Sequence, residues 1–155
     1  GWRIGYTAGN TDVIKAMSKL QGQSTSCPNS IAQFAAIEAL TGDQSEVHNM
    51  RNAFNLRRNL IVRRLNAIEN VTCEMPGGAF YVFPDFTGYI GKSLDNSKIN
   101  SATQITMHLL EKRYIVSVAG DAFGSPNNIR FSYAASDKDI NNAMDALEEI
   151  LYKIK

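Results

Sequence analysis

Hydrophobic residues fall at helical spacing in five stretches of the chain and alternate or cluster in the shorter runs between them. Val13, Met17 and Leu20 predict a first helix of about two to three turns, led in by Gly9-Asn10-Thr11-Asp12, a turn that ends in capping residues. Gln21 to Ser26 is polar and predicts a connecting loop. Pro28-Asn29-Ser30 opens a second helix carrying Ile31, Phe34, Ala35 and Leu40, and Thr41-Gly42 stops it. Asp43 with Glu46 three residues on resembles a capping box. A long helix is expected from there to about Ile68, with Val47, Met50, Phe54, Ile61, Leu65 and Ile68 as its apolar stripe.

The remaining chain mixes strands and helices. Val71 to Met75 is a strand candidate, Pro76-Gly77-Gly78 a turn, and Ala79 to Phe83 a strand expected to be buried on both faces and closed by Pro84. Asp85 to Asn100 reads as an exposed loop. Ser101 and Gln104 form a second capping box, opening a helix through Ile105, Leu109 and Leu110 that ends in Lys112 and Arg113. Ile115 to Val118 is a strand, and Ala119 to Gly124 a glycine-containing loop. Ser136 and Asp139 start a last helix with Ile140, Met144, Leu147, Ile150, Leu151 and Ile154 in its stripe. This order predicts an α/β chain, α+β in its second part, with a small sheet covered on one face by helices over residues 43–155. Residues 1–42 fit that plan poorly and read as the end of another domain, joined to it by the long helix. Trp2 to Tyr6, following Gly1, predicts a strand; a lone strand leaves its backbone groups unpaired, so a larger protein cut at this point is expected.

Composition narrows the function classes. With 44% apolar and 20% charged residues the chain is of the folded kind. Sixteen basic and fifteen acidic residues leave a net charge of +1, which favours neither nucleic acid nor an acidic membrane as a partner. No apolar run approaches the roughly 20 residues of a membrane span. Cys27 and Cys73 match no metal spacing and are expected to be reduced, as in a cytoplasmic protein. The arginines of the long helix, Arg51, Arg57, Arg58, Arg63 and Arg64, read as a solvated face.

Chemistry concentrates on two arginines. The stretch Asn127 to Ala134 alternates so that Ile129, Phe131 and Tyr133 share one face of a strand and Arg130, Ser132 and Ala134 the other. The first face is core. The second sets a guanidinium beside two small side chains. Such a group needs an anion, and its planar fork suits a carboxylate held by two parallel hydrogen bonds. The ordinary reading of the strand alone is an arginine that meets a protein carboxylate or water at the sheet edge. Arg3 is the second candidate for an anion. GxSxG, HExxH, P-loop and GxGxxG patterns are all missing, and His48 and His108 sit on predicted helices without ligand partners. From residues alone the reading stops at an α/β chain that binds a carboxylate or a phosphate.

Four segments in order carry a resemblance. Gly1-Trp2-Arg3-Ile4-Gly5-Tyr6, followed by Ile14-Lys15-Ala16-Met17, resembles the segment after the catalytic lysine in class I aminotransferases, fold-type I pyridoxal 5′-phosphate enzymes. Gln23 to Pro28, Pro76 to Tyr81 and Asn128 to Ala134 match further segments in register, and the bacterial aspartate aminotransferases resemble the chain most. The resemblance implies that residues 1–42 end the large cofactor-binding domain and that residues 43–155 are the small C-terminal domain. It implies that Arg3 contacts the cofactor phosphate and Arg130 the substrate α-carboxylate. The reaction implied moves an amino group between an amino acid, with aspartate expected, and a 2-oxo acid. A cytoplasmic homodimer is implied for the full-length protein. The Gln23 to Ser26 loop would lie near the active site at that dimer interface, with no single role assigned.

Two departures from the family pattern matter. The lysine that carries the cofactor as a Schiff base is expected a few residues before Gly1. This chain alone is therefore expected to hold no catalytic residue, not to bind the cofactor, and to be inactive. Ala119 stands before Gly120 where relatives commonly have proline, which puts the local loop geometry in question. Alternatives remain at this point: another pyridoxal phosphate enzyme such as a C–S lyase, an aminotransferase-like ligand-sensing domain of a transcription regulator, or a free-standing carboxylate-binding module.

Overall fold

The structure, a computed structural model, describes residues 2–155. It divides into two compact units, Gly1–His48 and Asn49–Lys155.

In the first unit both helices begin at asparagine caps. Asn10 Oδ1 accepts from the Asp12 N–H at 2.9 Å and starts α1, Thr11–Ser24. Asn29 Oδ1 accepts from Ala32 N–H at 3.2 Å and starts α2, Ser30–Thr41. The first helix is longer than its apolar spacing predicts, because the polar Gln21 to Ser24 continue it rather than forming a loop. The strand expected at Trp2 to Tyr6 is not present; these residues are exposed and irregular, and Gly1 lies outside the described residues. Alternation supplies a face for a strand but not the ladder, and no partner strand lies among the described residues of this unit.

The long helix α3 runs Ser45–Asn66. Asp43 caps it through the Ser45 N–H at 3.0 Å, not through Glu46 as the spacing suggests. Within the second unit its buried residues are Ile61, Val62 and Leu65, followed just beyond its end by Ile68. Its arginines are not simply a solvated face. Arg64 donates to Asp145 at 2.7 Å and Glu148 at 3.0 Å, Arg57 to Asp137 at 3.3 Å, and Arg58 to the Pro76 carbonyl at 3.2 Å.

Five short strands follow. They are β1 (Tyr81–Val82), β2 (Ser93–Leu94), β3 (Ser97–Lys98), β4 (Val118–Ala119) and β5 (Ile129–Ser132). β1, β5 and β4 form an antiparallel sheet in that order. β1 is shorter than the predicted strand and is not buried on both faces, since Phe80 and Phe83 are exposed. Val71 to Met75 contributes one bridge, Thr72 to Asp85, rather than a strand. The Asp85 to Asn100 stretch is not an exposed loop. It buries Phe86, Tyr89, Leu94 and Ile99 and forms the β2–β3 hairpin, turned at Asp95 and Asn96 with φ of 48° and 65°.

Helix α4, Ala102–Arg113, has the predicted reciprocal cap between Ser101 and Gln104. Helix α5, Asp137–Leu151, begins where Ser136 Oγ accepts from Asp139 N–H at 3.1 Å. Both put their stripes into one core with Ile129, Phe131 and Tyr133 of the sheet. The expected helix-covered sheet is thus present in the second unit.

Candidate functional site

The alternation of β5 decides where Arg130 goes. Ile129 and Phe131 are buried in the core, and Arg130 between them points to the other face. Pairing adds neighbours to that face, because Val118 stands opposite Arg130 and Tyr81 opposite Ser132. The Arg130 Cζ lies 4.4 Å from the centre of the Tyr81 ring. The Phe123 ring centre is 4.7 Å from the same carbon. The guanidinium therefore has two aromatic rings within 5 Å of its carbon.

Phe123 reaches this place through a tight loop. It ends a short 3-10 turn, Gly120–Phe123. Gly120 N–H donates to the Asn128 carbonyl at 2.8 Å, and the Gly120 carbonyl accepts from Ser125 N–H at 3.0 Å. A side chain at Gly120 would put its Cβ 2.0 Å from the Ser125 carbonyl oxygen, so only glycine fits this close approach. Ala119 before it has φ of −61°, a value proline also holds, so the family departure there leaves the backbone shape intact.

Arg130 differs from the other half-buried arginines in its partners. Arg57 and Arg64 pair with carboxylates and Arg58 donates to a carbonyl. Among the described residues the Arg130 side chain has neither an ion pair nor a hydrogen bond to protein, although its backbone is paired in the sheet. The protein carboxylate expected at the sheet edge on ordinary grounds is not there. A half-buried guanidinium flanked by rings is left with an N–H edge that can take two oxygens of a planar anion.

Arg3 stands in the first unit. It is exposed and likewise makes no ion pair or hydrogen bond among the described residues. The two arginines thus lie in different units, each uncommitted. Other candidate chemistry recedes. His48 is exposed, and the half-buried His108 faces Asp95 at 3.8 Å. Cys27 and Cys73 are free thiols, and burial pushes Cys73 up to about 11, which makes it a poor nucleophile. Among the described residues no group of His, Cys, Asp and Glu is placed to hold a metal.

A profile of the family "Aminotransferase class I and II" matches residues 1–147. The chain belongs to the class I and II aminotransferases. It is 49% identical over 144 residues to the aspartate/prephenate aminotransferase of Cereibacter sphaeroides, covering 92% of this chain and 36% of that protein. It is 41% identical over 148 residues to an aspartate aminotransferase of Rhizobium meliloti, covering 95% of this chain and 36% of that protein. The crystal structure of the aspartate aminotransferase from Rhizobium meliloti superposes with a TM-score of 0.91 at 38% identity, over 99% of this chain and 39% of that one. This aminotransferase chain therefore spans little more than a third of the length of the relatives it matches. The matched range takes in both Arg3 and Arg130. Tyr81 and Phe123 carry no role in the sequence reading, although Tyr81 falls inside a family-like segment. Their signal was aromatic residues at a strand edge and in a glycine loop, but alternation cannot say which cross-strand neighbour an arginine will meet.

Proposed function

We propose that the full-length protein is an enzyme moving an amino group between an amino acid and a 2-oxo acid, with aspartate as the donor, and that Arg130 holds the substrate's α-carboxylate. The observation that carries this reading is the Arg130 guanidinium, half-buried between Tyr81 and Phe123 without a protein anion. The names of the relatives support aspartate as substrate. Pyridoxal 5′-phosphate, the cofactor of this family, supplies when bound an electron sink for the bond broken at the amino acid's α-carbon. Arg3 fits its phosphate, because an exposed guanidinium without a protein partner has all its donors available to an anion. Arg130 orients the amino acid, since two parallel hydrogen bonds fix a carboxylate in direction as well as in place.

Residues 1–42 are assigned on this reading to the large domain and residues 43–155 to the small one. The 155 residues alone are assigned no turnover. A homodimer in the cytoplasm belongs to the same proposal and rests on family likeness.

The test uses the full-length enzyme. Losing one partner of a desolvated charge pair costs about 2–5 kcal/mol. Arg130→Ala is expected to lower kcat/KM for aspartate by about thirty- to several-thousandfold, at about 1.36 kcal/mol per decade. Arg130→Lys keeps the charge, loses the fork, and falls too. A simple amine without an α-carboxylate should lose far less. Equal losses for the amine and aspartate would return Arg130 to a structural role.

A further inference from the structure

Resting on the carboxylate-binding role of Arg130, we propose that Tyr81 and Phe123 are positioning residues that form an aromatic slot, fixing the guanidinium plane so that the site selects flat carboxylates over tetrahedral anions. The two rings reach Arg130 from independent places. Tyr81 comes from the neighbouring strand β1, and Phe123 from the loop pinned by Gly120. Each ring is backed by another. Phe83 meets Phe123 edge-on with centres 5.8 Å apart, and Phe80 lies 4.5 Å from Tyr81. Phe54 of α3 continues the row, 6.4 Å from Phe80. The slot walls are therefore held from both sides and need no ligand to form.

Three consequences follow from this arrangement. An arginine side chain has several rotatable bonds, and fixing it before the ligand arrives removes that entropy loss from the binding step. In the proposed slot the two rings cover the guanidinium faces and leave the in-plane N–H edge for an anion. A carboxylate lies in that plane with its two oxygens matched to the fork. A phosphonate cannot do so; with two oxygens in the plane, its remaining substituents project above and below toward the rings. Apolar walls also lower the local dielectric, which strengthens a pair that fits and penalises one that does not.

The test compares wild-type full-length holoenzyme with Phe123→Leu, Tyr81→Leu, Phe123→Tyr and Arg130→Lys. Two ratios are read: kcat/KM for aspartate against a simple amine, and binding of a dicarboxylate inhibitor against its phosphonate analogue. Cation–π contacts of this kind correspond to about two- to thirtyfold in affinity. Phe123→Leu and Tyr81→Leu are expected to lower both ratios by about that factor, mainly through KM, with the cofactor retained. Phe123→Tyr keeps a ring and should rescue both. Because Phe123 is 48% exposed on a loop, its replacement leaves the core untouched. If Arg130→Lys lowers the aspartate-to-amine ratio while the leucine variants leave both ratios unchanged, the slot proposal fails and the Arg130 reading survives. An unchanged ratio in Arg130→Lys overturns both.

Discussion

The two units treat their apolar residues in opposite ways. In Asn49–Lys155, Ile61, Leu65, Ile105, Leu109, Met144 and Leu147 are all at most 2% exposed and meet in one core. In Gly1–His48, Val13, Met17 and Leu20 form a proper helical stripe, and each is at least 47% exposed. Helix α2 is apolar around much of its circumference, a composition suited to full burial. Yet Ile31, Phe34, Ile37 and Leu40 are exposed, and Ala32 is the one buried residue described in that unit. A hydrophobic pattern states what an element needs to touch. It does not state that the surrounding residues of the same unit supply it.

Separating the units tests this difference most severely. Residues 49–155 expressed alone should unfold in a single cooperative urea transition. Residues 1–48 alone should lose most of their helical circular dichroism, since short helices without a packed face are marginal in water. A cooperative transition from the first piece would break the comparison. Single substitutions sharpen it at smaller scale. Leu65→Ala, at a position with 0% exposure, should destabilise the chain by about 2–5 kcal/mol. Leu40→Ala, at 61% exposure, should stay within about 0.5 kcal/mol of wild type. Urea midpoints at constant slope would measure both.

The cysteines give the mildest contrast. Cys27 in the first unit is exposed and should alkylate readily at pH 8, whereas Cys73 in the second should react only after denaturation. Burial raises the Cys73 thiol from 9.0 to about 11, so the unfolded chain releases this proton first. Its contribution is therefore full below about pH 9 and is lost as pH rises toward about 11. Alkaline urea titrations of wild type and Cys73→Ser should differ in slope within that window. Identical slopes would remove Cys73 as the cause.

Much of this was legible in the residues, for reasons that differ by element. Helices were read well because caps are local: Asn10, Ser101 and Ser136 each bond to backbone two or three residues away. The face assignment of Ile129, Arg130 and Phe131 came from period-two alternation alone. Strand lengths are less legible, because Phe80 and Phe83 are β-formers by composition while ladder pairing depends on distant partners. The burial of the Asp85 to Asn100 stretch is hidden in the sequence because its four buried residues are spaced among turn residues, which dilutes any window. The missing counter-ion of Arg130 could not be read at all, since the sequence does not say which carboxylates come near it.

That uncommitted guanidinium also bears on how fast a ligand arrives. A charge the fold does not neutralise extends its field outward, over roughly 8 Å at physiological ionic strength. Substrates on the proposed reading are anions, and such a field draws them in before any contact forms. Had Arg130 been paired as Arg64 is with Asp145 and Glu148, the attraction would have been spent inside the molecule. On the proposed reading, an Arg130 left open beside two rings makes capture the salt-sensitive step, while the proposed slot governs how long the captured molecule stays.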